Sequence, residues 1–188
     1  MTREIRASLP QVRRGVASAD VRVRIEQVVG APLEAVEAAL IDAAYLARLA
    51  ELPKLGAPQL LGQEHGDGVV RQRVRYQFVG DLNAAVRRVV DPARLTWVEV
   101  TTVDLGTHGT EWHIEPDHYA SLLRARGQIR LEAVDGAGPA TRRVADIDLR
   151  VTFPLVGSKV ERAIASGLEE HAALEAEALA AWLGAAGS

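Results

Sequence analysis

Apolar and polar residues begin to alternate at residue 21. Val21, Val23 and Ile25 interleave with Arg22, Arg24 and Glu26, which predicts a strand with one wet face. Gly30 ends it. Pro32 suits a first helical position, and Glu34 and Glu37 fall near the positive end of a helix dipole. Leu33, Val36, Leu40 and Ile41 are spaced as one helix face. Tyr45, Leu46, Leu49 and Leu52 give a second short helical stretch, closed by Pro53, Gly56 and Pro58.

From residue 59 the pattern changes to short β-branched runs broken by turn residues, which predicts an antiparallel meander. Candidate strands are 59–65, 69–79, 84–90, 95–105, 110–115, 119–134 and 141–153; with the first strand these make eight. Gly66-Asp67-Gly68, Asp91-Pro92 and the segment Asp135 to Pro139 mark turns. Val70, Val74, Tyr76 and Phe78 share one face, opposite Arg71, Arg73 and Arg75. Leu123, Ala125, Ile129 and Leu131 share another, as do Ala145, Ile147, Leu149, Val151 and Phe153. Pairing of the last two strands would bring Arg130 near Asp146 or Asp148. Beyond Pro154 the spacing becomes helical through Val160, Ile164, Leu168, Leu179, Trp182 and Leu183. Ser158 and Glu161 form a capping box, and Gly184 supplies a stop. This helix of about 25 residues would span roughly 37 Å.

This order resembles the helix-grip fold of the SRPBCC superfamily, which includes START lipid carriers, the birch-pollen allergen family and polyketide cyclases. The segments Val23 to Gln27 and Ala31 to Val36 resemble that superfamily's first strand and helix. The stretches Asp91 to Trp97, Glu115 to Tyr119, Phe153 to Glu161 and Gly167 to His171 are more narrowly similar to an actinobacterial domain family of unknown function. The resemblance covers about residues 20–183. It implies an α+β chain in which a curved antiparallel sheet of about seven strands wraps around the long C-terminal helix, with two short helices after the first strand. Eight candidates exceed that number, so one strand is expected to be split or bulged, around Glu115 to Tyr119. One domain over residues 20–184 follows, with 1–19 as a loosely attached or disordered arm. The family brings no activity that could be assigned residue by residue.

Composition narrows the function. Aromatic residues are only 4% of the 188, within 48% hydrophobic residues, so small aliphatics must fill the concave face and leave room for a cavity. The absence of cysteine excludes disulfides, thiolate nucleophiles and Cys-ligated zinc. A net charge of -3 with few aromatics argues against nucleic acid, despite the stripe Arg71, Arg73, Arg75, Arg87 and Arg88. No segment reads as a signal peptide or a membrane span. A cytoplasmic protein without a cofactor is expected, as a monomer or a dimer.

Candidate chemistry is sparse. His108, His113 and His118 are five apart, which puts neighbours on opposite strand faces and argues against convergence on a metal. His171 and Glu175 are one turn apart on the last helix, with Gly167 one turn before; they face either the cavity or solvent. Gly167 reads best as a close helix–sheet contact. Trp97, Glu99, Thr101 and Val103 share one face of their strand, and Val98, Val100 and Thr102 the other; either could be inside. The candidate cavity wall comprises Val74, Tyr76 and Phe78, Trp97 and Glu99, Trp112 and Tyr119, Ile129 and Ile147, and Gly167, His171 and Glu175. The expected function is to hold a small apolar molecule, lipid-like or polyketide-like. The alternatives are a cyclase- or dehydratase-like enzyme using acid and base groups of the cavity, or a protein-interaction module without a ligand.

Overall fold

The opening alternation becomes strand β1 (Val21–Val29), antiparallel to β7 (Ala140–Val151) with Val23 opposite Ile147 and Ile25 opposite Ala145. The computed structural model describes residues 21–82, 84–88, 90–136, 138–152 and 157–186. The N-terminal arm and Phe153 fall outside these residues, as does the side chain of Ser158 in its expected capping role. Helices α1 (Leu33–Leu40) and α2 (Ala43–Arg48) follow β1, with Pro32 standing as the N-cap of α1 rather than its first residue. The meander then runs β2 (Gln59–Gly66), β3 (Val69–Gln77), β4 (Thr96–Asp104), β5 (Gly109–Pro116) and β6 (Leu123–Val134). These described strands form one antiparallel sheet in the order β1-β7-β6-β5-β4-β3-β2. Helix α4 (Gly157–Ala186) closes the chain. The helix-grip architecture expected from the resemblance is therefore present.

The eighth candidate strand, 84–90, is not one. Its start is helix α3 (Ala84–Arg87), and the Val90 N–H donates to the Val86 carbonyl at 2.9 Å, a helical i to i−4 bond. Val86 and Val90 are buried together against Leu149, Val151 and Val160. β-branched residues four apart were serving a helix face, and burial outweighed their strand propensity. No split at Glu115 to Tyr119 is needed either. β5 ends at Pro116, and Tyr119, at φ 61°, turns the chain before β6. Phe78 lies beyond β3, bridged to Leu55, with its ring against Gly80 and Lys54. Helix α4 is longer than expected and runs through Gly184.

Two apolar clusters hold α4 at its two ends. Val160 and Ile164 join Leu149, Val151, Val86 and Val90 near its start. Leu179, wholly buried, joins Val29, Val36, Tyr45, Val74 and Leu131 near its end, with Trp182 6.0 Å from the Tyr45 ring. The helix lies on β1 and β7 and against α1 and α2. Glu161 accepts a hydrogen bond from the Val151 N–H at 3.1 Å and ties α4 to the end of β7. Glu37, buried on α1, bonds the His108 ring at 3.1 Å and pins α1 to the β4–β5 turn.

The convex face is ionic. Arg24 and Arg130 meet Asp146 at 3.0 and 3.2 Å, Arg73 meets Glu115 at 2.7 Å, and Arg75 meets Asp117 at 2.9 Å. The expected Arg130–Asp146 pair is among them. Such exposed pairs contribute about 0–1 kcal/mol each. Among the described residues no helix is long and apolar enough to cross a membrane.

Close packing at Gly127 leaves no room for a side chain. A Cβ at Gly127 would lie 2.5 Å from the Asp146 carbonyl oxygen and 2.9 Å from Trp112 Nε1. Gly127→Ala should therefore cost about 2 kcal/mol through overpacking, read as a lower urea midpoint at unchanged slope. An unshifted midpoint would show that the backbone opens there at no cost.

Candidate functional site

The pleat that buries Ile147 and Leu149 also points Arg143 inward, since the three share one phase of β7. On α4, Glu175 faces the same way. The Arg143 guanidinium donates to Glu175 Oε2 at 2.7 Å, with side chains only 12% and 15% exposed. Tyr45, from α2, donates its hydroxyl to the Glu175 carbonyl at 3.3 Å. Gln27, on the inward phase of β1, donates to the Ala172 carbonyl. His171, one turn before Glu175, has its Nδ1 buried without a hydrogen-bond partner among the described residues. The same holds for Arg143 Nε and Thr101 Oγ1.

Strand β4 settles which of its faces is inside. Glu99 pairs with Val74 and Ile114, and Thr101 with Gln72 and Trp112, so the Trp97–Glu99–Thr101–Val103 face is concave. Val98, on the outer face, is nonetheless 5% exposed, lying opposite Arg75 and Glu115 in the sheet. Tyr76 stacks on Trp97 with ring centroids 5.9 Å apart.

These groups form one electrostatic unit. Burial, and then the charge of Glu175, push the Glu99 carboxyl up to about 7 against the pull of Arg143. Burial would also raise Glu175, but the charge and hydrogen bond of Arg143 outweigh it and hold that carboxyl below its ordinary value. Burial opposes the charge on Arg143, and Glu175 more than compensates. Burial and the neighbouring carboxylates raise Tyr45 and Tyr76, which stay phenols. Burial lowers His171 against the pull of Glu175, so the imidazole is neutral at pH 7.

The inward residues of β4, β5 and β6 remain half-buried. Glu99, Thr101, Trp112, Ile114, Ala125 and Ile129 all keep accessible surface, whereas Ile147 and Leu149 beneath α4 do not. A Cβ added to Gly167 would meet nothing within 4 Å. Gly167 is thus no close-packing contact, contrary to expectation. The concave side of β4–β6, beside the middle of α4 and between its two apolar clusters, is thus less covered than that of β7.

Of the expected wall, Val74, Tyr76, Trp97, Glu99, Trp112, Ile129 and Ile147 lie on the concave face, and His171 and Glu175 face it from α4. Phe78 and Tyr119 do not join them. The Tyr119 hydroxyl accepts from the Asp91 N–H at 3.1 Å, its ring lies 5.7 Å from the Arg94 guanidinium, and it packs on the cluster at the start of α4. The histidines stand apart: His108 on Glu37, His113 3.7 Å from Glu115, and His118 beside Arg94. Sequence reasoning missed Arg143 and Gln27. Their signal was phase, two residues from Ala145 and Ile25 respectively. Tyr45 was read only as an apolar position.

A depression of about 930 Å³ lies open on the convex face among Arg24, Glu111, His113, Arg126 and Asp148. Its charges largely neutralise one another, as in the 3.7 Å Arg126–Asp148 pair.

Residues 24–183 match a family described only as a protein of unknown function. No curated protein matches the chain in sequence. Among solved structures, TTHA0849 from Thermus thermophilus is 19% identical with a TM-score of 0.66, over 89% of this chain and 100% of that one. The Zhui aromatase/cyclase from Streptomyces sp. R1128 is 16% identical with a TM-score of 0.62, over 88% and 94%. A point mutant of Thalictrum flavum norcoclaurine synthase, in complex with a transition-state analogue, is 16% identical with a TM-score of 0.63, over 93% and 100%. At these identities the likeness is one of fold.

Proposed function

The chain belongs to the DUF2505 family of proteins of unknown function, and we propose that it binds a small, largely apolar molecule in a hollow beside α4. The observation that carries this reading is the accessible surface kept by Glu99, Thr101, Trp112, Ile114 and Ile129 on a concave face that α4 contacts chiefly over β1 and β7. Clefts that hold small molecules are mostly apolar, with a few placed polar groups. Here the polar groups are Arg143, Glu175, Glu99 and His171. Two structural neighbours, a cyclase and a synthase, carry small-molecule chemistry on this fold, which agrees with the reading.

Acid–base catalysis is a second reading. Glu99, shifted to about 7, suits proton exchange near neutral pH. Binding is the better supported, because the hydrogen bonds of the cluster join Arg143, Glu175 and Tyr45 and none joins Glu99 to His171. An interaction module has less support. Among the described residues the exposed large apolar side chains are Val28 on β1, Leu60 and Leu61 on β2, and Val79, and β1 and β2 are opposite edges of the sheet.

Native mass spectrometry of the freshly purified protein, followed by organic extraction, tests the proposal. The expected result is an adduct of a few hundred daltons that Gly167→Phe, filling the open space at that position of α4, reduces without unfolding the chain. A bare protein mass that also stays unchanged after incubation with hydrophobic probes would sink it.

A further inference from the structure

We infer that the hollow selects an uncharged molecule presenting one hydroxyl or carbonyl oxygen to Arg143 and His171, and that it discriminates against carboxylates. This rests on the binding proposal and specifies its ligand. The argument is one of charge and unmet hydrogen bonds. Arg143 is the cation of the cluster, and Glu175, at 2.7 Å, already neutralises it. A ligand carboxylate would enter beside Glu175 and Glu99 with no cation left to balance it, and a buried unpaired charge is costly. A plain hydrocarbon meets the opposite difficulty. It would leave Arg143 Nε, His171 Nδ1 and Thr101 Oγ1 without partners, as they are within the chain, and buried polar groups are rarely left so.

A neutral oxygen meets both conditions once the Arg143 and His171 side chains turn to uncover these atoms, which the chain itself encloses. Arg143 Nε–H can only donate. The neutral imidazole can donate or accept at Nδ1, and the Thr101 hydroxyl, farther along the same face, can do either. A carbonyl oxygen accepts from Arg143 and from a donating His171; a hydroxyl accepts from Arg143 and donates to an accepting His171. The rest of such a molecule would lie along the aliphatic wall of Ala125 and Ile129 and the stacked Tyr76–Trp97 pair. Sites built to hydrogen-bond a substrate oxygen discriminate strongly against analogues lacking it, because the site's own polar groups then stay unpaired.

Three probes of one shape separate the possibilities: naphthalene, 2-naphthol and 2-naphthoate, titrated against the full chain by isothermal calorimetry and tryptophan fluorescence. The expected order is 2-naphthol tightest, by about five-fold or more over naphthalene, as one or two net hydrogen bonds allow, with 2-naphthoate weakest. Arg143→Lys keeps a cation for Glu175 but removes Nε–H, and should bring 2-naphthol down to the naphthalene level while naphthalene is unchanged. His171→Phe makes the same test should the lysine variant fold poorly. Naphthalene binding as tightly as 2-naphthol, or 2-naphthoate binding tightest, overturns the oxygen selection while leaving a binding hollow in place. Silence from all three probes overturns this inference and the binding proposal together.

Discussion

Arg143→Ala is expected to cost about 3–5 kcal/mol of stability, the range for removing one partner of a buried ion pair. The loss comes less from the missing attraction than from what it leaves behind, the Glu175 carboxylate buried without its cation. Both side chains are at most 15% exposed, so solvent screening relieves little of this. Replacing both partners together, Arg143→Met with Glu175→Leu, removes the stranded charge and should restore most of the stability. A double-mutant cycle in urea checks this. If the double variant is as unstable as the sum of the single losses, the two residues act independently and the electrostatic account is wrong.

Glu99→Gln should stabilise the protein above pH 7, by up to about 3 kcal/mol. The sign follows from linkage. In the unfolded chain Glu99 ionises near 4.5, and in the fold near 7, so the native state holds the proton more tightly. The stability this provides is complete below pH 4.5, is lost as pH rises through 7, and is gone above it. A difference of about 2.5 pKa units at 1.36 kcal/mol each sets the size. Glu175 runs the other way: its lowered folded value contributes stability above about pH 4.5 that disappears as pH falls. The wild-type profile therefore mixes opposing slopes, and the difference between wild type and Glu99→Gln isolates one. Urea melts from pH 5 to 8.5 should show the two proteins diverging up to pH 7 and running parallel above it. Curves parallel throughout would show that Glu99 ionises in the fold as it does in the unfolded chain.

Much of the fold was legible because alternation survives wherever one sheet face is wet. Arg22, Arg24 and Glu26 on β1, and Arg71, Arg73 and Arg75 on β3, mark their outer faces plainly. Strand β4 defeated this logic because both of its faces are covered: the concave one looks into the hollow, and on the convex one Val98 is buried among ion pairs. Strand β7 hid Arg143 for the opposite reason, since a charge on an apolar phase was passed over although only its partner on α4 explains it. Helix α3 was misread because Val86 and Val90 satisfy either period, and only their burial against Leu149 and Val160 decides. Pairings such as His171 and Glu175 with Arg143 depend on how α4 is rolled on the sheet. The clusters at its two ends set that roll, and no local pattern encodes it.

Those two clusters divide labour along α4. Like a beam bolted at both ends, the helix is secured by Val160 and Ile164 on one side and by Leu179 and Trp182 on the other. The span between carries residues whose exchange leaves the bolts untouched. Related chains could therefore alter positions 167 and 171 without forfeiting the scaffold, whereas a change at 175 would strand Arg143, and Gly167, with empty space where a side chain would go, is where such retuning would meet least resistance.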